Sequence, residues 1–283
     1  MPQPQTLSHA LNLARGVLAP HSDTAAIDAQ TLLAHLTGRS RAWVLAHPEA
    51  LLDESQTVRL HQALQRLARG EPLPYVLGQW EFFGRSFVVT PAVLIPRPET
   101  ELLVEAALDW LRAHPGSRRV VDVGTGSGCI AVSLAAEVDE VQIVAIDQSA
   151  AALEVARRNA QRHGVTRRLR WIQADLLAPF AGPWDVVCAN LPYIPSAQLA
   201  RLPVARFEPR LALDGGPDGL HLVRRLLRQA RVQIASPGAL FLEIGAGQGP
   251  LAAQTARRLF PEAYVEVRPD LAGHPRLLCL FLT

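Results

Sequence analysis

Three regimes of hydrophobic spacing follow one another along the chain. From Thr6 to about Arg69 apolar residues recur at helical intervals. Leu7, Ala10, Leu11 and Ala14 share one face, Ile27, Leu32, Leu33 and Leu36 a second, and Val58, Leu60, Ala63, Leu64 and Leu67 a third. Gly38, Pro48 and Gly70 punctuate these stretches, so residues 1–71 are expected to form a small bundle of four or five short helices. Between Pro72 and Pro98 the period changes. Tyr75-Val76-Leu77 and Phe87-Val88-Val89 read as β runs separated by Gly78 and Gly84, which predicts a β-hairpin linker over 72–98. Over 99–283, short apolar runs alternate with helical stretches, the mark of an α/β unit with a mostly parallel sheet. Its last strand, Arg276 to Thr283, follows a helix and another strand, and is expected to be antiparallel in an edge hairpin.

What stands at the strand ends narrows the chemistry, because ligands of open α/β sheets bind outside the carboxyl ends of the strands. Val120 to Val123 leads into Gly124-Thr125-Gly126-Ser127-Gly128 and a helix from Cys129, a turn through which backbone N–H groups can approach a ligand closely. The glycine spacing is one residue short of the dinucleotide fingerprint, which disfavours a nicotinamide oxidoreductase. Val141 to Ile146 ends on Asp147, an acid placed to accept both hydroxyls of a ribose as well as to cap the helix that follows. Leu169 to Gln173 ends near Asp175, which can accept from an adenine amino group, and Leu176, which can pack on the ring. Val186 to Ala189 delivers Asn190-Leu191-Pro192-Tyr193, a tetrad suited to gripping a planar NH2 group. Together these point to an adenosine ligand with no diphosphate, best met by S-adenosyl-L-methionine, beside a nitrogen acceptor. A second glycine turn, Gly245 to Gly249, reads as a strand turning into a helix, because little chain remains beyond it to build a second site.

Composition excludes more than it adds. All 28 basic residues are Arg, so Schiff-base, pyridoxal and Walker-type lysines are ruled out. The net charge of +2 gives no general polyanion-binding character. The three cysteines lie in apolar runs without C-x-x-C spacing, which predicts buried thiols and no metal site. With neither a signal segment nor a membrane-length apolar run, a cytoplasmic protein without a membrane partner is expected. Six arginines between Arg157 and Arg170, with no acid among them, read as a solvated face, with ribosome or RNA contact as the alternative. In Pro96-Arg97-Pro98-Glu99-Thr100 two prolines hold the chain extended. Arg97 and Glu99 brace this segment against the site, Arg97 facing the substrate, and Thr100 can cap the next helix.

Assembled in order, these segments resemble the release-factor glutamine methyltransferases (HemK/PrmC type) over nearly the whole chain. Pro74 to Gly78 with Glu81 to Gly84, Leu94 to Glu101, Asp122 to Ile130, Glu208-Pro209, Gly215 to Leu220 and Leu242 to Gly245 carry the likeness. The resemblance implies a Rossmann-like class I methyltransferase sheet over 99–283, with a helical substrate-docking domain ahead of it. It also implies methyl transfer from S-adenosyl-L-methionine to the side-chain nitrogen (N5) of the glutamine in the Gly-Gly-Gln motif of peptide-chain release factors. It assigns donor contacts to the glycine loop, Asp147, the residues around Asp175, and Asn190. The grip on the substrate amide falls to the Asn190 side-chain oxygen and the Leu191 carbonyl, with Tyr193 packed on the amide or walling the pocket. The family's usual tetrad is Asn-Pro-Pro-Tyr; Leu191 departs from it, and Asn-Leu-Pro-Tyr is also similar to ribosomal RNA adenine dimethyltransferases. N6-adenine methylation of RNA or DNA, and a non-catalytic adenosine-binding module, are therefore the alternatives.

Overall fold

The computed structural model describes residues 5–116 and 118–283. The chain divides into two compact units, one ending at Gln79 and one running from Trp80 to Thr283. The first contains α1 (Leu7–Leu18), α2 (Ala25–Thr37), α3 (Arg41–Ala46), α4 (Glu54–Leu67) and α5 (Leu73–Leu77). Short polar side chains start the helices. Thr6 and Ser40 accept from the third residue beyond them, and Asp53 forms a reciprocal capping box with Gln56. Leu7, Ala10 and Ala14 of α1, Leu32, Leu33 and Leu36 of α2, and Leu60, Leu64 and Leu67 of α4 make the core.

Two positions depart from the expected stripes. Ile27 and Val58 are 47% and 44% exposed, because their helical angles fall away from the faces set by Leu32, Leu33 and Leu36 and by Leu60, Leu64 and Leu67. Tyr75-Val76-Leu77 is also not a strand but the end of α5. Prolines in the first turn preset helical φ, Gly78 ends the helix in the left-handed region (φ 70°), and Arg66 donates to the Tyr75 carbonyl at 3.0 Å. A three-residue apolar run has no period of its own, and the flanking Pro and Gly decide it.

A hairpin of β1 (Gln79–Phe82) and β2 (Arg85–Val88) begins at the division between the units. Then follow α6 (Glu101–Ala113), β3 (Arg118–Val123), α7 (Cys129–Glu137), β4 (Val141–Asp147), α8 (Ala150–Arg162), β5 (Leu169–Gln173), β6 (Trp184–Ala189), the short α9 (Ser196–Leu199), α10 (His221–Ala230), β7 (Ile234–Glu243), α11 (Gly249–Leu259), β8 (Tyr264–Pro269) and β9 (Pro275–Leu282). The seven-stranded sheet has the order β5-β4-β3-β6-β7-β9-β8. All pairs are parallel except those made by β9, which runs antiparallel between β7 and β8. The terminal hairpin is thus at the sheet edge, but the last strand is inserted one place in and β8 forms the edge.

Successive residues of the parallel strands feed opposite cores. Val120, Val186, Cys188 and Phe241 pack in the layer that holds α6 and α7 residues, and Val121, Val187, Leu240 and Leu242 in the layer that holds α10 and α11 residues. Both faces are covered, which is why the strands read as unbroken apolar runs. Strand order reverses between β3 and β6, whose register pairs Val123 with Ala189. That topological switch point sets the Gly124 turn and Asn190 side by side at the carboxyl edge of the sheet.

Candidate active site

A cavity of about 270 Å³ opens at this switch point. Gly124 to Ser127, Asp147, Leu176, Asn190, Leu191, Pro192 and Arg97 all line it; Gly128, Asp175 and Tyr193 do not.

The glycine turn is held from below. Asp122, fully buried, accepts from Thr125 Oγ1 at 2.6 Å and from the Ala131 N–H at 3.2 Å, which ties the turn to the start of α7. Burial pushes its carboxyl up to about 7, against the pull of those two bonds. Gly124 (φ 75°) and Gly126 (φ 55°) need the left-handed region, and a Cβ on Gly124 would lie 3.1 Å from Leu191 Cδ2. The glycine turn and the tetrad therefore lie against each other. Gly128 serves packing instead: a Cβ there would sit 3.0 Å from Ala156 Cβ, where α7 meets α8.

Asp147 ends β4 with each oxygen already accepting one backbone N–H, Oδ2 from Gly126 and Oδ1 from Ser149, both at 2.9 Å. Each oxygen keeps a further lone pair for a ligand hydroxyl. Burial raises its pKa above the ordinary carboxylate value. The cap of α8 is Ser149, whose Oγ accepts from Ala152 at 3.1 Å. At the end of β5 the structure separates the two expected contacts. Leu176 takes up a left-handed backbone (φ 54°) and is buried against the cavity. Asp175 lies on the exposed side, accepting from Gln148 Nε2 at 2.7 Å and paired with Arg225 at 2.5 Å. Asp175 thus stands at the end of β5 in a solvent-side ion pair, outside the cavity lining.

Asn190 follows the end of β6. Its Nδ2 donates to Thr100 Oγ1 at 2.9 Å, and Thr100 Oγ1 donates to Glu243 Oε2 at 2.6 Å. Thr100 makes no side-chain cap on α6; its hydroxyl is turned into the cavity wall. Glu243 is buried, and burial pushes it up to about 7. Tyr193 is half-buried outside the cavity lining, its hydroxyl pushed up to about 12 first by burial and then by Glu243. Its carbonyl accepts from Gln248 Nε2 at 2.8 Å, and Gln248 Oε1 accepts from the Gly245 N–H at 2.8 Å. The second glycine turn thus holds the tetrad. Arg97 is ion-paired with the buried Glu208, which also accepts from the Ile95 N–H at 3.4 Å, while Glu99 stays exposed. Burial raises Glu208 more than Arg97 lowers it.

Sequence reasoning assigns no site role to Thr100, Glu208, Glu243 or Gln248. Glu243 had a readable signal: a lone carboxylate closing the apolar run Ala239 to Leu242. The arginine run lies on α8, on the 3-10 turn that follows it and on the start of β5. Arg157 pairs with Glu154 and Arg168 with Asp139, while Arg158, Arg167 and Arg170 are exposed. Cys129, Cys188 and Cys279 are free and buried. Among the described residues no His, Cys, Asp and Glu group could hold a metal ion, and no helix is long and apolar enough to cross a membrane.

Two protein-family models match the chain, a PrmC N-terminal domain over residues 9–78 and a methyltransferase small domain over residues 99–207. The release factor glutamine methyltransferase of Nitratidesulfovibrio vulgaris is 40% identical, covering 96% of this chain and 94% of that one. The one from Moorella thermoacetica is 44% identical, covering 96% of each. The chain belongs to the release factor glutamine methyltransferase family. A methyltransferase from Pyrococcus furiosus, 17% identical with a TM-score of 0.52 over 81% of this chain and 98% of that one, shares the fold. For a member of the release factor glutamine methyltransferase family, the cavity fits S-adenosyl-L-methionine. It combines a left-handed glycine turn for close backbone approach, a carboxylate with spare lone pairs, and apolar walls at Ile146, Leu176 and Leu222.

Proposed function

We propose that this protein transfers a methyl group from S-adenosyl-L-methionine to the side-chain nitrogen (N5) of the glutamine in the Gly-Gly-Gln motif of peptide-chain release factors. One observation carries the reading: Asn190, its NH2 engaged by Thr100, lies at the cavity beside the glycine turn. The donor supplies a methyl carbon already activated by its sulfonium. Asp147 holds the ribose, Gly124 to Ser127 approach the rest of the donor through the backbone, and Leu176 covers the adenine. An amide nitrogen is a poor nucleophile, so the protein's work is alignment at near-attack distance. Asn190 Oδ1 and the Leu191 carbonyl accept from the substrate NH2 and stabilise positive charge as it develops there. Arg97, fixed by Glu208, borders the substrate side. The helical unit over 1–71 is the docking domain, where Ile27, Leu45, Leu51 and Val58 expose apolar surface to a protein partner. The hairpin stretch 72–98 connects it to the catalytic part, 99–283. A cytoplasmic location follows from a substrate that works on ribosomes.

The test is incubation with methyl-labelled donor and purified release factor. Label should appear in the Gly-Gly-Gln peptide and vanish on Gln→Ala in the substrate. Asn190→Ala should abolish transfer with donor binding retained; near-normal turnover would remove Asn190 from its role. The Asn-Leu-Pro-Tyr tetrad favours a second reading, adenine N6 methylation in RNA, with Arg158, Arg167 and Arg170 as contacts. Label entering ribosomal RNA and not the release factor would replace the first reading with this one.

A further inference from the structure

We propose that Thr100 and Glu243 are positioning residues that fix which end of the Asn190 amide faces the cavity. The inference rests on the reading of Asn190 as the clamp on the substrate amide. The two ends of an Asn amide are nearly the same shape, and only hydrogen bonds tell them apart. An Asn190 presenting NH2 to the cavity would set donor against donor, because the substrate offers NH2 as well. Something must therefore polarise the side chain before substrate arrives.

Thr100 has one hydroxyl proton. Glu243 Oε2 takes it at 2.6 Å, so Thr100 Oγ1 has only lone pairs left for its other neighbour. The neighbour at 2.9 Å must then be an N–H, and Oδ1 is turned towards the substrate. The direction of the relay originates in Glu243, which in its ionised form can accept and cannot donate; burial pushes it up to about 7, so the relay is set from about neutral pH upwards. Burial works against a charge at this place more strongly than Arg276 and Tyr193 favour it. Glu243 is 2% exposed, and its second oxygen, Oε1, makes no hydrogen bond. A buried acid so poorly partnered costs stability, so its retention needs a purpose other than packing. The titratable groups facing it are Glu99 ahead of α6, Cys129 on α7, Tyr193 of the tetrad and Arg276 on β9. Tyr193 and Arg276 also favour its ionised form, and the donor at 2.6 Å from Oε2 is the Thr100 hydroxyl.

A glutamine at position 243 has the same shape but can present NH2 to Thr100. The hydroxyl would then donate to Asn190 and turn its amide round. The test uses the full chain with labelled donor and purified release factor, comparing Thr100→Val, Thr100→Ser, Glu243→Gln and Asn190→Ala with wild type. Thr100→Val keeps the shape and loses the relay; its kcat should fall by about 10- to 100-fold, the scale of a misoriented reactant. The donor's Kd should stay within about twofold, a split that general loosening of the site would not give. Thr100→Ser should restore kcat to within about threefold. Glu243→Gln should lose kcat with no loss of thermal stability, and combining it with Thr100→Val should cost no more than the worse single change. Normal kcat in Thr100→Val or in Glu243→Gln, with Asn190→Ala inactive, overturns the relay and leaves the clamp standing. An active Asn190→Ala overturns the clamp itself. Should Thr100→Val fail to fold, the Glu243→Gln arm decides.

Discussion

Removing the Gln248 side chain separates the work of the second glycine turn from that of the first. Gln248 Nε2 donates to the Tyr193 carbonyl at 2.8 Å and more weakly to the Asp218 carbonyl at 3.5 Å, and its Oε1 accepts from the Gly245 N–H at 2.8 Å. Gln248→Ala deletes two good hydrogen bonds and leaves a carbonyl and an N–H without their partners. Each such loss costs roughly 1–3 kcal/mol when buried, and the half-exposed setting admits water, so the lower end applies and about 2 kcal/mol in total is expected. The catalytic effect should be larger. Tyr193 is the carboxyl end of the tetrad, and freeing its carbonyl releases Asn190 and Leu191 from one of their anchors. A misplacement of about 1 Å at a reacting group is worth on the order of 100-fold in rate. The assay is single-turnover methylation of a release factor at saturating donor, alongside urea unfolding. Gly219→Ala pushes the same carbonyl from the other side: its Cβ would stand 2.2 Å from Tyr193 O, at a backbone φ of 78° that disfavours any side chain. Both variants should lose rate beyond what their stability explains. If Gln248→Ala loses the expected stability and keeps wild-type rate, the turn is a structural support with no bearing on the clamp, and the argument fails.

Two further outcomes test the donor side. Asp147→Ala removes the acceptor of the Gly126 and Ser149 N–H groups as well as the ribose contact, and should weaken donor binding by about 10- to 100-fold in calorimetry; an unchanged Kd would count against the assignment. Asp122 gives a pH signature. Its carboxyl is raised from an ordinary 3.8 to about 7, so between those values the unfolded chain has lost a proton that the folded chain keeps. Stability should fall as pH rises through that window, by up to about 4 kcal/mol from this group, and stay level above it. Urea unfolding from pH 4.5 to 7.5 should show a falling limb in wild type that is shallower in Asp122→Asn, where the buried Glu243, also raised to about 7, keeps its own share; identical pH profiles would refute it.

What could be read from the sequence was what neighbours along the chain decide. Four buried strands and the residues at their ends were legible because burial on both faces leaves unbroken apolar runs, which stop where the chemistry starts. Roles set by distant partners were not. Thr100 followed by a helix reads as a cap, yet its partner Glu243 lies 143 residues away. Asp175 reads as an adenine acceptor by position, and its ion pair with Arg225, 50 residues on, is not legible in its neighbours. Tyr75 to Leu77 went wrong for a local reason, because three apolar residues carry no period and the prolines before them outweigh β propensity.

The same strand, glycine turn and helix occur twice in this sheet, and only one copy opens a ligand cavity. The difference lies in the next strand over. Beside β3, the parallel β6 ends level with it, and the turn after β3 meets open space at the point where strand order reverses. Beside β7, the neighbour β9 is antiparallel, and its first residues arrive where a crevice would be. The Ile244 N–H is taken by the Arg276 carbonyl at 2.8 Å, and Gly249 has Pro275 3.0 Å from where its Cβ would be. Gln248 occupies what remains of the turn, using the Gly245 N–H that could otherwise face a ligand. A glycine pattern therefore reports that the backbone must be approached closely, but not by what. At Gly124 to Ser127 the partner is a cavity; at Gly245 to Gly249 it is the protein's own side chain, and the gain is a rigid tetrad. One antiparallel strand is enough to turn a second nucleotide-like motif into a scaffold for the first.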